Sequence, residues 1–347
     1  MTQEIIHRIN QLGKEGNPFL FIINYKGDLA FIKRLSDIHP EECLYDFEGV
    51  SNLKETYIPL SAPITWQIEN PRYQDYKRSF DIVKSNIMAG NSYLVNLTCK
   101  VAVTCNLTLR DVFLHTNGKY KLWLKKPNQL SSSEDTPTPQ CESFVCFSPE
   151  SFIKIKNGRI YSYPMKGTLD ATIPHAEELL MSDKKEAAEH ATIVDLIRND
   201  LSRVAEDVRV DQYRYMDLLH TNKGDILQTS SEISGRLPEH YANTLGDILT
   251  EQLPAGSITG APKDKTMQII HEAEGYERGF YTGIMGIYQN GELNSAVMIR
   301  YIEQEDNQLY FKAGGGITSK SEFLKEYEEV LQKIYLPISL LSKEIFP

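Results

Sequence analysis

Long apolar segments are absent from this sequence of 347 residues. The longest apolar run, Phe19–Ile23, suits a β-strand, whereas a helix needs about 20 apolar residues to cross a bilayer. The first seven residues contain no basic region followed by an apolar stretch, so we expect no secretory signal. These absences predict a cytoplasmic protein without membrane association.

Cysteine is scarce, and positive charge is in deficit. The five cysteines include no C-x-x-C pair and no zinc-finger spacing with histidine, which favours reduced thiols over disulfides. Lys and Arg number 37 against 47 Asp and Glu, a formal net charge of −10, and no basic run occurs. Such a chain is a poor candidate for binding a phosphate backbone, so we expect no nucleic-acid partner. It can still bind a small anion where the site itself is positive.

What the sequence does contain is a series of turn signals between apolar segments. Turns at Lys26–Asp28, Asn157–Gly158 and Asn290–Gly291 each separate two strand-like segments, and strands joined by such short turns pair antiparallel. Helical patterns occupy other segments: Tyr76–Ala89, Asp183–Leu201, Gly246–Glu251, Pro262–Ala273 and Ser321–Tyr335. The pattern predicts an α+β fold, a two-layer sandwich of mainly antiparallel sheets with helices packed on the outside.

The domain organisation follows from composition. Residues 128–140 are rich in Ser, Thr and Pro and are predicted to form a surface loop rather than a domain boundary, because strand-like sequence resumes at Phe144. We expect residues 1–70 to form a β-rich segment that completes the sandwich. Residues 71–340 are expected to form the catalytic domain, a single intertwined globular unit.

Three glutamates occupy positions where a helix would align them with other groups. Glu189 lies four residues before Ile193 on an apolar helical stripe, so it is either solvated at the stripe's edge or part of a metal or substrate site. Glu326, Glu329 and Lys333 share one face of the last predicted helix. They form either an exposed ion pair of little energetic value or a site for a hard cation such as Mg²⁺.

Two further features are suited to binding or reacting with a small molecule. Gly314, Gly315 and Gly316 are predicted to connect a strand to the last helix, either as a flexible linker or with N–H groups that approach an anion closely. Lys166 follows a strand predicted to be buried, and either extends to solvent or acts as a nucleophile. The turn Leu253–Lys263 lacks the spacing and the final Ser or Thr of a P-loop, so nucleotide binding is not expected.

Together and in order, these motifs resemble those of the chorismate-utilising enzymes. That family includes anthranilate synthase component I, aminodeoxychorismate synthase component I, and the isochorismate and salicylate synthases. The matching segments are Gly90–Thr98, Ser148–Phe152, Pro164–Thr168, Ala188–His190, Ile193–Leu201, Pro254–Lys263, Arg278–Gly283, Ile299–Arg300, Ala313–Gly316 and Glu326–Glu329. Each motif alone is weak, but the ordered set is specific.

The resemblance implies a role for each candidate residue. It implies that three carboxylates bind Mg²⁺: Glu189, Glu326 and Glu329. It implies that the enolpyruvyl carboxylate of the substrate is held by Arg300 and Tyr281. Further contacts with the anionic substrate are implied for Gly314, Gly315, Gly316, Lys333, Thr259 and Gln228.

Lys166 discriminates between branches of the family. In the segment Pro164–Thr168 it occupies the position where anthranilate synthases usually have alanine and aminodeoxychorismate synthases usually have lysine. In the second branch this lysine adds to C2 of chorismate and expels the C4 hydroxyl, and ammonia then attacks C4 and displaces the lysine. Glu150 matches a carboxylate beside the lysine and is a candidate general acid. The resemblance therefore implies synthesis of 4-amino-4-deoxychorismate, the precursor of p-aminobenzoate in the folate pathway.

Two positions depart from the family pattern. Gln228 stands where the family often has histidine, and Leu94 stands where it has glutamine. Glutamine cannot transfer a proton near neutral pH, so pyruvate elimination is not expected. No cysteine lies in a Gly-x-Cys-x-Gly nucleophile elbow, so ammonia is expected from a separate glutamine amidotransferase subunit or from solution. The alternatives are anthranilate synthase component I, isochorismate synthase and a non-catalytic chorismate-binding subunit.

Overall fold

The computed structural model describes residues 1–54, 63–125, 141–221 and 224–336. The loop predicted at 128–140 and the last residues of the predicted 71–340 domain lie outside these ranges. The chain divides into two units, each assembled from three separate segments. The first unit comprises Met1–Phe19, Ser151–Ser257 and Gly286–Ser295, and the second comprises Leu20–Glu150, Ile258–Met285 and Ala296–Pro347. Neither unit begins or ends near residue 70.

The helices include every segment predicted to be helical. In chain order they are α1 (Gln3–Lys14), α2 (Tyr73–Met88), α3 (Leu109–His115), α4 (Ala176–Ser182), α5 (Lys184–Leu201), α6 (Leu245–Gln252), α7 (Gly256–Thr259), α8 (Lys263–Glu274) and α9 (Phe323–Gln332). Short 3₁₀ turns occupy Leu35–Asp37 and Tyr241–Thr244. The N-terminal stretch, expected to be β-rich, thus begins with a helix that buries Ile5, Ile9 and Leu12. No helix within the described ranges is long and apolar enough to span a membrane.

The strands confirm the α+β class with mainly antiparallel pairing. They are β1 (Phe19–Ile23), β2 (Ala30–Arg34), β3 (Cys43–Phe47), β4 (Val50–Ser51), β5 (Trp66–Ile68), β6 (Leu94–Cys105), β7 (Tyr120–Lys125), β8 (Cys141–Ser148), β9 (Ser151–Lys156), β10 (Arg159–Ser162), β11 (Met165–Asp170), β12 (Glu206–Thr221), β13 (Gly224–Arg236), β14 (Gly260–Ala261), β15 (Ile284–Gln289), β16 (Glu292–Val297), β17 (Tyr301–Glu305) and β18 (Gln308–Ile317). The three predicted hairpins are present as β1–β2, β9–β10 and β15–β16.

In the first unit, strands pair in the order β11, β13, β10, β9, β16 and β15, and β12 also pairs with β13. The antiparallel β11–β13 pair places Lys166 opposite Thr229 and Thr168 opposite Gln228, with an irregularity between them. Gly167 lies at this irregularity with φ +77°, a conformation that glycine adopts without steric penalty. Such bulges redirect neighbouring side chains, and Lys166 directly precedes this one.

In the second unit, strands pair in the order β14, β6, β18, β17, β8, β7, β3 and β4, and β5 also pairs with β6. The core beneath this sheet is apolar and includes Phe80 and Val83 of α2, Phe311 of β18 and Val330 of α9. Each such side chain contributes roughly 1.5–3 kcal/mol by leaving water. The core therefore fixes α2 and α9 on the sheet.

One sequence prediction about the second unit is wrong. Gly314, Gly315 and Gly316 are not a linker between a strand and a helix, because β18 continues through them and pairs them with Thr98, Leu97 and Asn96 of β6. The pairing of β18 with its other neighbour, β17, ends at Lys312. Because glycine is a poor strand former, the sequence placed these residues between the strand and the helix rather than within the strand. The structure instead makes these glycines part of a rigid sheet.

Candidate active site

Lys166 lies on β11 within a cluster of charged side chains from α5. Its Nζ donates a hydrogen bond to Glu189 Oε2 at 3.3 Å. Lys185 Nζ lies 3.8 Å from the other oxygen of the same carboxylate. The Lys166 and Glu189 side chains are 30% and 21% exposed, so both are accessible yet partly desolvated. Glu189 is therefore paired with two ammonium groups, and Lys166 is held beside a carboxylate rather than extended freely into solvent.

Glu186 belongs to the same cluster, although it is not among the site residues predicted from the sequence. A Cβ placed on Gly167 would lie 3.1 Å from Glu186 Oε2, so this carboxylate lies against the backbone that follows Lys166. Burial and the nearby charge of Glu189 raise the pKa of Glu186. The signal available in the sequence was the three-residue spacing from Glu189, which places both carboxylates on one helical face. The cluster thus contains a carboxylate that holds its proton more readily than usual.

His190 is wholly buried next to this cluster and joins α5 to the sheet. Its Nε2 lies 2.6 Å from Ser231 Oγ, and the N–H of Ser231 donates to the carbonyl of Pro164 at 3.0 Å. Burial, together with the charges of Arg214 and Lys166, lowers the pKa of His190 to about 4. The imidazole is therefore neutral near pH 7 and acts as a fixed structural contact.

The depressed pKa of His190 predicts acid sensitivity. The unfolded chain protonates this histidine near pH 6.5 and the folded chain near pH 4, so stability present above pH 6.5 is lost as the pH falls toward 4. At about pH 5 the loss should be about 2 kcal/mol. Urea unfolding of the His190→Asn variant at about pH 7.5 and 5 should show a correspondingly smaller pH dependence than the unsubstituted protein. The exposed His240→Asn variant is the control, and equal pH dependence in all three proteins would contradict the prediction.

In the second unit, α9 brings three predicted site residues together over β18. Lys333 Nζ lies 2.7 Å from Glu329 Oε1 and donates to the carbonyl of Gly314 at 3.0 Å. A Cβ on Gly315 would lie 3.6 Å from Lys333 Nζ and 3.7 Å from an oxygen of both Glu326 and Glu329. The shared helical face predicted for these residues is present, and it faces the glycine segment. The absence of a side chain at Gly315 leaves room among the three charged groups.

This arrangement bears on metal binding. Glu326 and Glu329 supply carboxylate oxygens, the ligands that Mg²⁺ prefers in proteins. Glu189, the third predicted ligand, lies in the first unit, whereas the other two lie in the second. Within the described ranges, no group of three or more His, Cys, Asp or Glu side chains is close enough to hold a metal ion. The donor chemistry of the pair on α9 nevertheless fits a hard divalent cation.

Tyr281 and Arg300 also lie in the second unit. Tyr281 is almost wholly buried, with its ring centroid 5.8 Å from that of Tyr301. Burial raises the pKa of Tyr281, an effect partly offset by the positive charges of Arg278 and Arg300. Arg300 has a positive φ of 55°, which is uncommon outside glycine and is often found at functional sites. Tyr281 therefore remains a neutral hydrogen-bonding group beside two guanidinium ions.

The remaining predicted residues are more dispersed. Thr259 is completely buried in the second unit. Gln228 lies on β13 of the first unit, on the strand next to Lys166. Glu150 lies in the second unit, where its N–H donates to Ser148 Oγ at 3.1 Å, and it is thus in a different unit from Lys166.

A buried ionic network supports the segment that carries Tyr281. Arg278 donates to both oxygens of Glu274, at 2.6 and 2.8 Å, and to the carbonyl of Asn96 at 2.6 Å. Glu274 also accepts hydrogen bonds from the N–H and hydroxyl of Thr98, both at 2.8 Å. The network ties β6 to the end of α8. Arg278 lies in a motif of the sequence but had no predicted role; the available signal was its four-residue spacing from Glu274.

Comparisons with protein families, curated proteins and solved structures all lead to the same family. Residues 26–339 match the family described as chorismate binding enzyme. An uncharacterized PabA-like protein of Haemophilus influenzae is 46% identical over 336 residues, 97% of each chain. Aminodeoxychorismate synthase component 1 of Klebsiella aerogenes is 31% identical over 288 residues, which cover 80% of this chain and 60% of that protein. The crystal structure of anthranilate synthase component I from Streptococcus pneumoniae is similar with a TM-score of 0.59 and 26% identity, covering 80% of this chain and 61% of that one.

Proposed function

Because the chain belongs to the family of chorismate binding enzymes, we propose that it is an aminodeoxychorismate synthase component I. The proposed reaction converts chorismate and ammonia to 4-amino-4-deoxychorismate. The observation that carries this proposal is Lys166, held at a bulge with its Nζ 3.3 Å from the Glu189 carboxylate. The likeness to the Klebsiella aerogenes enzyme supports the same branch of the family.

Lys166 would act as the nucleophile. Attack requires the free amine, so the Lys166 ammonium, held beside Glu189, must first release its proton to solvent. The amine then forms a bond to C2 of chorismate, the two ring double bonds shift from C1=C2 and C5=C6 to C1=C6 and C4=C5, and the C4–O bond breaks. The departing hydroxyl leaves as water and takes a proton, for which Glu150 is the proposed general acid. In the second step ammonia bonds to C4, the C2–N bond breaks, and Lys166 is released.

Local positive charge would bind the dianionic substrate despite the acidic chain. The Gly314 carbonyl accepts a hydrogen bond from Lys333 on the side away from β6, so the Gly314 N–H also points to the edge of β18 that β17 leaves uncovered. Lys333, this N–H edge, Arg300 and Tyr281 form the proposed carboxylate contacts, with Thr259 and Gln228 as further contacts. Together they supply the cationic and hydrogen-bonding groups that an anion requires.

A magnesium ion is proposed as the cofactor. Glu326 and Glu329 would hold it. The third carboxylate that the resemblance implies, Glu189, lies in the first unit, and its role as a ligand rests on that resemblance alone. When bound, the ion would neutralise the ring carboxylate of chorismate. The Glu329 carboxylate lies 2.7 Å from Lys333 Nζ, and this contact holds it beside the glycine segment.

Gly315→Ala tests the open space between these charged groups. A methyl group there would contact Glu326, Glu329 and Lys333 at 3.6–3.7 Å, which is ordinary van der Waals distance, so the fold should tolerate it. We expect the free energy of unfolding to change by less than about 1 kcal/mol. The KM for chorismate should rise about 10-fold, equivalent to about 1.4 kcal/mol, because the methyl group occupies substrate space. Steady-state kinetics and urea unfolding measure both quantities, and an unchanged KM would contradict the assignment.

Product identity tests the proposed reaction. The purified chain is incubated with chorismate, Mg²⁺ and ammonium at about pH 8.5, and products are identified by mass spectrometry. 4-Amino-4-deoxychorismate with its enolpyruvyl group retained is the expected product. Glutamine should not replace ammonium unless a glutamine amidotransferase subunit is added. Anthranilate with released pyruvate, isochorismate, or chorismate binding without any product would each overturn the proposal.

A further inference from the structure

The backbone of Arg278–Gly283, here called the Tyr281 turn, has an unusual conformation. Gly279 and Thr282 both have φ of +62°, and for a β-branched residue such as threonine this region is strongly disfavoured. The turn is closed by hydrogen bonds from the Tyr281 N–H to the Arg278 carbonyl at 3.1 Å and from the Thr282 N–H to the Met298 carbonyl at 2.8 Å. Conformations of this kind persist only where surrounding contacts determine them, and they concentrate at binding sites.

Lys312 supplies one of these contacts from the neighbouring sheet. Its Nζ donates to the carbonyl of Arg278 at 3.0 Å and to that of Glu277 at 3.4 Å. The Arg278 carbonyl therefore accepts hydrogen bonds from both Lys312 and Tyr281. The Lys312 side chain is 1% exposed, and its charge is balanced by Glu303, whose Oε1 lies 2.6 Å from Nζ.

The aromatic side chains of the turn pack on the same face of the sheet. Phe280 stacks on Phe144 of β8 with ring centroids 5.3 Å apart, and Tyr281 packs against Tyr301 of β17. Tyr301 is directly opposite Lys312 in the β17–β18 pair. Hydrophobic packing thus brings the turn to the sheet, and the hydrogen bond from Lys312 fixes which carbonyl of the turn faces it.

We propose that Lys312 is a positioning residue for chorismate: its ammonium, balanced by Glu303, fixes the Arg278 carbonyl and thereby sets the position of Tyr281. This inference rests on the proposed function in one respect, the contact between Tyr281 and chorismate. A purely structural role makes a different prediction. A buried ion pair can often be replaced by apolar residues of similar size without loss of stability. If the pair only stabilised the fold, its replacement would leave both stability and chorismate binding unchanged.

The test is the double variant Lys312→Met/Glu303→Leu, which removes both buried charges together. We expect a melting temperature close to that of the unsubstituted protein and about fivefold or greater weakening of chorismate binding, measured by calorimetry without ammonia. The control is Lys33→Met/Glu42→Leu, which removes a 2.6 Å ion pair between β2 and the residue before β3 and should leave binding unchanged. Chorismate affinity equal to that of the unsubstituted protein in the Lys312 variant would overturn the proposal.

If the double variant folds poorly, a second measurement tests the proposal. In the single variant Lys312→Met, held at a temperature where it remains folded, hydrogen exchange of the peptide containing the Tyr281 amide should be faster. Peptides that contain Glu274 or Asn96 should exchange at the same rate as in the unsubstituted protein. Unchanged exchange at the Tyr281 amide would overturn the proposal. The two inferences fail separately: a different product made by the unsubstituted protein refutes the amination reaction, whereas unaltered chorismate binding in the variant refutes only the role of Lys312.

Discussion

Lys166→Ala should reduce the formation of 4-amino-4-deoxychorismate about 1,000-fold or more, a loss of about 4 kcal/mol of transition-state stabilisation. The reason is that the proposed reaction forms and breaks a bond to Lys166 Nζ, an atom that alanine lacks. Chorismate binding should change much less, since the anion contacts of α9 and β18 are retained. Single-turnover kinetics with mass spectrometry of the protein measures both the rate and the covalent adduct.

Lys185→Ala is the matched control for this experiment. Lys185 also faces Glu189, at 3.8 Å, but is more exposed, and it lies outside the Pro164–Thr168 motif. Its removal should change the rate only a few-fold. If the Lys166→Ala variant instead forms a product aminated at C2, ammonia has attacked directly, which supports the double displacement in the unsubstituted protein. Full retention of 4-amino-4-deoxychorismate synthesis by Lys166→Ala would refute the nucleophile assignment.

Glu329→Gln should reduce the Mg²⁺-dependent rate about 100-fold by removing a metal-ligand charge while preserving the shape of the side chain. The substitution also removes the counter-ion of Lys333, which lies 2.7 Å away, so the ammonium would be freer to repel a cation. The rate is measured as a function of Mg²⁺ concentration, and Mg²⁺ affinity is measured by calorimetry. Excess Mg²⁺ should recover part of the lost activity.

Glu328→Gln, one position earlier on α9, is the control for the metal experiment. Glu328 is exposed and does not approach Gly315, whereas Glu326 and Glu329 do. The control should keep the same dependence on Mg²⁺ as the unsubstituted protein. Identical Mg²⁺ curves for Glu329→Gln and Glu328→Gln would rule out Glu329 as a ligand.

The local features of this fold could be predicted because their signals are local. The Asn157–Gly158 and Asn290–Gly291 turns each specify a tight hairpin within a few residues, and both hairpins are present. The helical spacing of Glu326, Glu329 and Lys333 placed them on one face, as the structure has them. The glycines at 314–316 were misjudged because strand pairing with β6, more than 200 residues earlier in the chain, outweighs the low strand propensity of glycine.

The supporting contacts of the candidate site could not be predicted from the sequence. Arg278 donates to Asn96, 182 residues away, and nothing in the composition of either segment indicates that they meet. No role could be predicted for His190, because its contact with Ser231 depends on how α5 packs on β13. Such long-range contacts follow from topology, and topology is specified by the whole core rather than by any one pattern.

The division of the chain into interleaved segments has a consequence for folding during synthesis. The second unit needs Leu20–Glu150 near the start of the chain and Ala296–Pro347 at its end. In its sheet, β6 pairs with β18, so this strand pair cannot form until Gln308–Ile317 has left the ribosome, long after β6 was made. Long-range pairing of this kind slows folding and leaves strand edges exposed in the meantime. A growing chain of this protein should therefore expose the pairing edge of β6 until β18 is made.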